Sequence, residues 1–165
     1  AERAIGNEPF AVLLADVFLT YDDKNTTADL ICAFEKSGKT QIRTINKNGL
    51  DVSNYGVLKM NKQTGEVEGI VEKPNLKDAP SDIISIGRYI LNNSVFDILR
   101  KQKLGYGGEI QLSDAINTQA KYSRVEAVPF HGHRFDCGRV KEYTNANLHM
   151  AKLKGFFETR KVQYT

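Results

Sequence analysis

Residues 10–16 read FAVLLAD, a continuous apolar run that ends in the acid Asp16. A short apolar run without polar alternation predicts a strand over residues 10–15 that is buried on both faces, in the middle of an α/β sheet. The neighbours of such a strand normally come from preceding βαβ units, yet only nine residues precede Phe10. We therefore expect an N-terminal part of the domain to be missing from this chain.

Strands and helices alternate along the rest of the sequence. Strands are predicted at residues 41–45, 56–60, 67–72, 84–91 and 125–130, and helices from 25 or 26 to 37, at 94–102, at 112–122 and from about 141 onward. The predicted strands at residues 56–60 and 67–72 flank Gly65, which predicts a β-hairpin. This order predicts an α/β fold with a mixed sheet, in a single partial domain over residues 1–165, ending in a helix.

Apolar spacing predicts which helix faces are buried. In the first helix, capped by Asn25 or Thr26, the predicted buried residues are Leu30, Ile31 and Phe34. In the final helix they are Tyr143, Ala146, Met150, Leu153 and Phe157. Because Phe156 and Phe157 add more apolar surface than one packing face needs, we expect this helix to meet a second copy of the chain in a homo-oligomer.

Composition excludes several classes of protein. Of the 165 residues, 41% are hydrophobic and 26% are charged, as in an ordinary globular domain. The net charge of +3 comes from scattered residues, which argues against a nucleic-acid partner. The longest apolar run has six residues, well short of the roughly 20 that span a membrane. Two cysteines without a CxxC spacing, and first residues without the apolar core of a secretory signal, predict the cytoplasm.

Two acids stand at strand ends, where ligands of α/β sheets gather. Asp16 follows the first strand, and Asp136 precedes the small pair Cys137-Gly138 and the final helix. Each residue has an alternative interpretation, as the cap of the turn or helix that follows it. If the two carboxylates converge, they suit Mg²⁺, which favours one or two carboxylates together with substrate phosphates.

The end of the predicted hairpin carries a second group of candidates. Glu72 and Lys73 stand side by side before Pro74. A lysine here could neutralise a phosphate, and the glutamate could accept hydrogen bonds from sugar hydroxyls. Neighbouring strand residues point to opposite faces unless the strand end twists, and an exposed hairpin end is the alternative interpretation. Gly56 allows a ligand to approach the backbone closely, or serves the turn alone.

Two further motifs are given no chemical role. His131 and His133 share a strand face, but only Asp136 and Cys137 are near enough to complete a zinc site, which we do not expect. The stretch 108–115, GEIQLSDA, is interpreted as helix capping.

Six segments in order resemble the bacterial UTP–glucose-1-phosphate uridylyltransferase family. They are Gly6-Asn7-Glu8-Pro9-Phe10-Ala11-Val12-Leu13-Leu14-Ala15-Asp16, Asn54-Tyr55-Gly56-Val57, Val71-Glu72-Lys73-Pro74, Ile86-Gly87-Arg88-Tyr89-Ile90-Leu91, Gly108-Glu109-Ile110-Gln111-Leu112-Ser113-Asp114-Ala115 and Asp136-Cys137-Gly138. The resemblance implies a Rossmann-like nucleotidyltransferase fold. It also implies a Mg²⁺-dependent reaction of UTP with glucose 1-phosphate, which yields UDP-glucose and pyrophosphate.

The resemblance assigns roles to individual residues. Asp16 and Asp136 match the acids that hold the metal, and Lys73 matches the lysine that grips the sugar phosphate. On the sugar side, Glu72 matches the residue that binds glucose hydroxyls and the Gly56 N–H contacts the sugar. Tyr89 matches a position on the strand beside the sugar pocket.

The sequence departs from the family pattern in two places. Members open with a glycine-rich loop and a basic residue that wrap the nucleotide triphosphate, whereas the only early glycine here is Gly6. We therefore expect the 165-residue chain alone to be inactive or nearly so. Members also carry a lysine two residues after the Asp-Cys-Gly glycine, where Val140 stands, so that Arg139 or Lys141 is the candidate substitute.

Two other functions stay open at this point. One is a sugar nucleotidyltransferase that uses dTTP or another nucleotide, because the base-reading loop is not in this sequence. The other is a truncated, non-catalytic paralogue that acts as a regulatory or interaction subunit.

Overall fold

Strands and helices alternate in the computed structural model, which describes residues 1–21 and 26–156. The strands are β1 (Phe10–Leu13), β2 (Val17–Thr20), β3 (Thr40–Asn46), β4 (Gly56–Met60), β5 (Val67–Glu72), β6 (Ile83–Leu91), β7 (Val125–Pro129) and β8 (His133–Asp136). The α-helices are α1 (Glu2–Ile5), α2 (Thr26–Ser37), α3 (Val95–Lys101), α4 (Leu112–Ala120) and α5 (Val140–Leu153). Single 3-10 turns lie at Leu76–Asp78 and Tyr106–Gly108.

The main sheet is mixed, as predicted. Its strand order is β5-β4-β6-β3-β7, and β1 also pairs with β6. The β3–β7 pair is parallel and the other pairs of this sheet are antiparallel. A separate antiparallel ladder joins β2 to β8 and sets Val17 opposite Asp136. Asp136 is the last residue of this ladder and Asp16 directly precedes it, so the ladder brings the two predicted metal ligands together.

β6 is the strand on which the site is built. One of its edges pairs with β3, while the other is shared by β4 near Ile84 and by β1 near Leu91. Gly87 lies between these two halves with φ +72°, and a Cβ there would come within 2.9 Å of the Leu14 side chain. Glycine is favoured here because the left-handed backbone strains other residues and a side chain would press on Leu14. The turn after β1 can therefore lie directly against β6.

The core lies on both faces of the main sheet. On one face, α4 buries Ile116 against Ile42 and Leu58. On the other, Ile84 and Phe130 belong to a second buried cluster. Burying a side chain of this size contributes about 1.5–3 kcal/mol, so these contacts hold the strand ends in place.

Local sequence signals located most elements correctly. The predicted hairpin is β4 and β5, with the predicted bounds, and Gly65 adopts φ +73° between them. In α4, the apolar residues Ala115, Ile116 and Ala120 stand at helical spacing and are buried. The turn and the periodicity act over a few residues, so they do not depend on the rest of the fold.

The prediction for the first strand was wrong in two respects. β1 ends at Leu13 rather than Ala15, and its residues are alternately half-buried and exposed, with Leu13 51% exposed. Among residues 1–21 and 26–156, β1 pairs only with β6 and has one covered face. A continuous apolar run therefore does not make this strand central within the described part of the chain.

Several helix predictions also need correction. Ile31 is exposed, although Leu30 on the same helix is buried. In α5, Ala146 is buried, but Tyr143 and Leu153 are mostly exposed. The proposed cap Asn25 and the predicted core residue Phe157 lie outside the described residues. The short elements α1, β2 and β8 were not predicted, because four residues carry too little periodicity.

Candidate functional site

A cavity of about 560 Å³ lies where the β4–β5 hairpin, β6, the start of α4 and the β2–β8 ladder meet. Its lining contains all six predicted site residues. The lining residues are Leu14, Asp16, Val17, Asn54, Tyr55, Gly56, Ile70, Glu72, Lys73, Ser85, Tyr89, Gln111, Leu112, Ser113, Arg134, Asp136 and Arg139. Three acids and three bases are among them, so the wall offers both carboxylates for a cation and cationic groups for an anion.

Asp16 lies in the tight turn between β1 and β2. The Val17 N–H donates to the Leu14 carbonyl at 3.2 Å, which closes the turn. Arg88, on β6, donates to the Leu14 carbonyl at 3.1 Å and to the Val17 carbonyl at 3.0 Å. Partial burial lowers the pKa of Arg88 below its usual value, but a guanidinium stays charged at neutral pH. Arg88 thus ties both sides of the Asp16 turn to the main sheet.

Asp136 ends β8 and faces Asp16 across Gly138. The Cys137 N–H donates to the Asp16 carbonyl at 2.7 Å, which joins the two segments. A Cβ on Gly138 would lie 3.3 Å from Asp16 Oδ2 and 3.3 Å from Asp136 Oδ1. The distance between Asp16 Oδ2 and Asp136 Oδ1 is therefore at most twice 3.3 Å. Two facing carboxylates beside a cavity with cationic side chains fit the donor set that Mg²⁺ prefers, which includes substrate phosphates.

Arg139, not Lys141, lines the cavity. Its Nε lies 3.7 Å from Asp136 Oδ2, an ion pair between partly exposed side chains. Val140, at the position of the family lysine, is 85% exposed. The start of α5 explains this, because Arg139 is the extended residue before the helix, whereas Val140 and Lys141 belong to its first turn and point in other directions.

Glu72 and Lys73 lie on the wall of the same cavity, although they are neighbours in sequence. β5 ends at Glu72, and Lys73 adopts a left-handed backbone with φ +44°. The Lys73 N–H donates to the Tyr55 carbonyl at 3.0 Å and stabilises this conformation. The twist at the strand end removes the alternation that would otherwise have separated the two side chains.

Gly56 lies on the cavity wall beside Glu72. A Cβ at this position would lie 3.1 Å from Ile70 Cγ2 and 3.2 Å from Glu72 Oε2. Both distances are shorter than an ordinary contact, so any side chain would press on the glutamate. The close approach of a ligand to the Gly56 backbone stays a prediction.

Tyr89 is held at the back of the cavity on β6. Its hydroxyl lies 2.7 Å from Ser85 Oγ. Burial raises the pKa of Tyr89, the Ser85 hydrogen bond opposes that rise, and the charge of Glu72 adds to it. The phenol is consequently neutral at physiological pH, where it can both donate and accept hydrogen bonds.

Sequence reasoning gave no chemical role to several polar residues of the cavity wall, among them Gln111, Ser113 and Arg134. Ser113 Oγ and Arg134 Nε are buried and have no hydrogen-bond partner among the described residues. Buried polar groups are normally paired, so these two residues of the cavity wall are exceptions. The stretch GEIQLSDA carried the signal for the first two, because it mixes polar residues into a helix start. Capping was too narrow an interpretation.

The histidines lie away from the cavity wall. The His133 ring packs 4.5 Å from the His149 ring and 6.4 Å from the Phe135 ring. His149 Nε2 in turn lies 3.0 Å from Thr20 Oγ1. Within residues 1–21 and 26–156, no group of three or more His, Cys, Asp or Glu side chains could hold a metal ion. Any metal here would need ligand oxygens in addition to Asp16 and Asp136.

The sequence and the fold match proteins of known family. Residues 1–152 match the family model described as nucleotidyl transferase. This chain belongs to the nucleotidyl transferase family. Over 158 residues it is 42% identical to UTP–glucose-1-phosphate uridylyltransferase 2 of Streptococcus pyogenes serotype M3, covering 92% of this chain and 53% of that relative. A UTP–glucose-1-phosphate uridylyltransferase of Streptococcus pyogenes is 41% identical over 145 residues, covering 84% and 48%.

Solved structures of nucleotidyl transferases match the fold as well. A UDP-glucose pyrophosphorylase complexed with UDP-glucose superposes with a TM-score of 0.86 at 39% identity, covering 92% of this chain and 59% of that one. A UTP-bound enzyme of Acinetobacter baumannii superposes with a TM-score of 0.81 at 32% identity, covering 92% and 53%. The chain thus spans about half the length of the relatives it matches. The family resemblance in the sequence is confirmed.

A more distant structure shares the nucleotidyl transferase fold alone. It is a putative glucose-1-phosphate thymidylyltransferase from Bacillus anthracis, with a TM-score of 0.73 at 21% identity.

In the described part of this chain, none of the helices has the length and apolar character needed to cross a membrane.

Proposed function

We propose that this chain is the sugar-phosphate-binding part of a UTP–glucose-1-phosphate uridylyltransferase, and that it binds UDP-glucose. The observation that carries the proposal is that the same cavity is lined by all six candidate residues, Asp16, Gly56, Glu72, Lys73, Tyr89 and Asp136. The relatives named above that are most similar in sequence are uridylyltransferases, and one matching structure holds UDP-glucose. These names favour UTP over dTTP as the nucleotide.

The proposed reaction is an in-line phosphoryl displacement. A phosphate oxygen of glucose 1-phosphate forms a bond to the α-phosphorus of UTP. The bond from that phosphorus to the bridging oxygen of the β-phosphate breaks, and pyrophosphate leaves with the electron pair. Catalysis of such a step consists mainly of aligning the two reactants and neutralising phosphate charge, so no covalent nucleophile is required of the chain.

Lys73 and Glu72 are proposed to hold the sugar phosphate. The Lys73 ammonium attracts the phosphate as a point charge, and its left-handed backbone sets it beside Glu72. The Glu72 carboxylate accepts hydrogen bonds from glucose hydroxyls, while Gly56 leaves room for the ring. The neutral Tyr89 hydroxyl, with Ser85, closes the far wall.

Asp16 and Asp136 are proposed to bind Mg²⁺ through Oδ2 and Oδ1, which face each other across Gly138. When bound, the ion neutralises phosphate charge and aligns the phosphates. Arg139 balances the charge of Asp136 at 3.7 Å and lies on the cavity wall, where it is proposed to replace the family lysine in contacting phosphate.

Two properties of the whole protein are also proposals. Both cysteines in the described residues are free, which supports a reducing compartment such as the cytoplasm. Along α5 and just beyond it, Val140, Leu148 and Phe156 are largely exposed, which supports association with a second copy through this helix. Light scattering at increasing protein concentration would show a rise in mass if that association occurs.

The test of the proposed function is calorimetric titration of UDP-glucose into the 165-residue chain, with Mg²⁺ and with EDTA. We expect binding that is stronger with Mg²⁺, and a loss of about 1.5–3 kcal/mol in Lys73→Ala, the range for a charge-assisted hydrogen bond. Lys77→Ala is the matched control, since Lys77 is an exposed lysine on the next turn outside the cavity.

Circular dichroism would first establish that each variant is folded. Wild-type affinity in Lys73→Ala would remove that residue from the site. Absence of binding by folded wild-type chain would contradict the proposal and favour a non-catalytic subunit.

A further inference from the structure

Arg134 occupies the cavity wall beside the metal end of the site. It precedes Asp136 by two residues on β8, so the two side chains share one face of the strand. Both line the cavity, whereas Phe135 between them packs near Phe18 and His149 on the other side of the ladder. The sequence resemblance assigned no role to Arg134.

Contact with Tyr55 fixes the position of the Arg134 guanidinium. Its Cζ lies 5.0 Å from the centre of the Tyr55 ring, a cation–π distance. Tyr55 is itself anchored, because its carbonyl accepts the hydrogen bond from the Lys73 N–H. Arg134 and Lys73 are thus attached to the same residue, and both are on the wall of one cavity.

One donor of this guanidinium is left without an acceptor. Arg134 Nε is buried and has no hydrogen-bond partner among residues 1–21 and 26–156. A buried donor without a partner is costly, more so when it is charged. A cation–π contact uses the face of the guanidinium and leaves the in-plane N–H groups available to an acceptor oxygen.

We propose that Arg134 is a further substrate-binding residue, which donates a guanidinium N–H to an acceptor oxygen of the bound sugar phosphate. This inference rests on the proposed function of the cavity. Tyr55 orients the guanidinium, and Lys73 and Arg134 then hold the ligand from two directions. The acceptor is a phosphate oxygen or a glucose hydroxyl, which present the same chemistry to an N–H donor.

Lys47 provides a matched control for the structural role of Arg134. Its Nζ lies 5.5 Å from the centre of the same Tyr55 ring, but Lys47 does not line the cavity. If Arg134 only stabilises Tyr55, replacing either cation should change thermal stability and leave ligand affinity alone. If Arg134 binds substrate, only its replacement should weaken binding.

The experiment titrates UDP-glucose and glucose 1-phosphate into wild type, Arg134→Gln, Arg134→Lys and Lys47→Gln, with melting curves for each. We expect roughly tenfold weaker binding in Arg134→Gln, the loss of one charge-assisted hydrogen bond, and wild-type affinity in Lys47→Gln. Arg134→Lys should be intermediate, because it keeps the charge and lacks the planar guanidinium donors. Inorganic phosphate is a third probe: a loss that extends to phosphate identifies a phosphate oxygen, and a loss confined to the two glucose-containing ligands identifies a hydroxyl.

Each contrary result has a separate meaning. Wild-type affinity in folded Arg134→Gln, together with lost affinity in Lys73→Ala, overturns this inference and leaves the proposed function standing. Equal weakening in Lys47→Gln and Arg134→Gln also overturns it, because the effect then comes through Tyr55. Absence of ligand binding by the wild-type chain overturns the proposed function and this inference with it.

Discussion

Replacing Gly138 by alanine should weaken the dependence of UDP-glucose binding on Mg²⁺ without unfolding the chain. The new methyl group would lie 3.3 Å from both Asp16 Oδ2 and Asp136 Oδ1, closer than an ordinary contact. Each carboxylate would have to move by a few tenths of an ångström. Gly138 is not among the residues with positive φ, so alanine does not strain the backbone.

The expected magnitude follows from the geometry that Mg²⁺ requires. Mg²⁺ needs near-octahedral oxygens at about 2.0–2.1 Å, so a shift of a few tenths of an ångström in both ligands is a large disturbance. We expect roughly a tenfold loss of apparent Mg²⁺ affinity, which is about 1.4 kcal/mol. Stability should change little, since glycine-to-alanine exchange contributes about 0.4–1 kcal/mol through the unfolded chain and offsets the tight contact.

The assay is calorimetric titration of UDP-glucose at a series of Mg²⁺ concentrations, with Gly56→Ala as the paired variant. A methyl group on Gly56 presses on Glu72 Oε2 at 3.2 Å, at the proposed sugar-binding end of the cavity. Gly56→Ala should therefore weaken binding equally with Mg²⁺ and with EDTA. If Gly138→Ala keeps the wild-type Mg²⁺ dependence, then Asp16 and Asp136 do not hold the ion.

Two further predictions concern the residues that support the site. In Tyr89→Phe, the free energy of unfolding should fall less steeply as the pH rises in the alkaline range. The pKa of Tyr89 is higher in the folded chain than its unfolded value of about 10, so its neutral form stabilises the fold. This contribution is fully present below about pH 10 and is lost as the pH rises through the folded-state pKa. Urea titrations from pH 9 to 11 measure this slope, and an unchanged slope would show that another group titrates there. Arg88→Met should lose about 1–2 kcal/mol of stability, since its hydrogen bonds to Leu14 and Val17 are charge-assisted but partly exposed, and should also lose Mg²⁺-dependent binding. Arg88→Lys should restore part of the stability and part of the Mg²⁺-dependent binding. If Arg88→Met keeps the full Mg²⁺ dependence, the Asp16 turn keeps its conformation without Arg88.

Much of the fold could be predicted because its signals are local. The β4–β5 hairpin follows from a glycine turn between two apolar runs, and α4 follows from the spacing of Ala115, Ile116 and Ala120. The burial of β1 could not be predicted in this way. An apolar strand becomes central only if neighbours cover both of its edges and faces, and β1 has one paired edge within the described residues.

The candidate site could be predicted in its residue types and only partly in its geometry. The six segments that resemble the uridylyltransferase family identified Asp16, Lys73 and Asp136 as candidates. Choosing Arg139 over Lys141 required the direction of the first turn of α5. Arg134 carried no signal in the sequence, because an arginine in a short strand is usually a solvated charge.

The linear order of residues is sufficient for the α/β class, the hairpin and the family, since these depend on contacts and motifs within a few positions. Bringing Asp16 beside Asp136 depends on the β2–β8 ladder, whose four-residue strands have no periodicity of their own. Directing Glu72 and Lys73 into one cavity depends on a left-handed residue at the end of β5. Side-chain direction and long-range pairing are properties of the packed chain, because each is set by neighbours that lie far away in sequence.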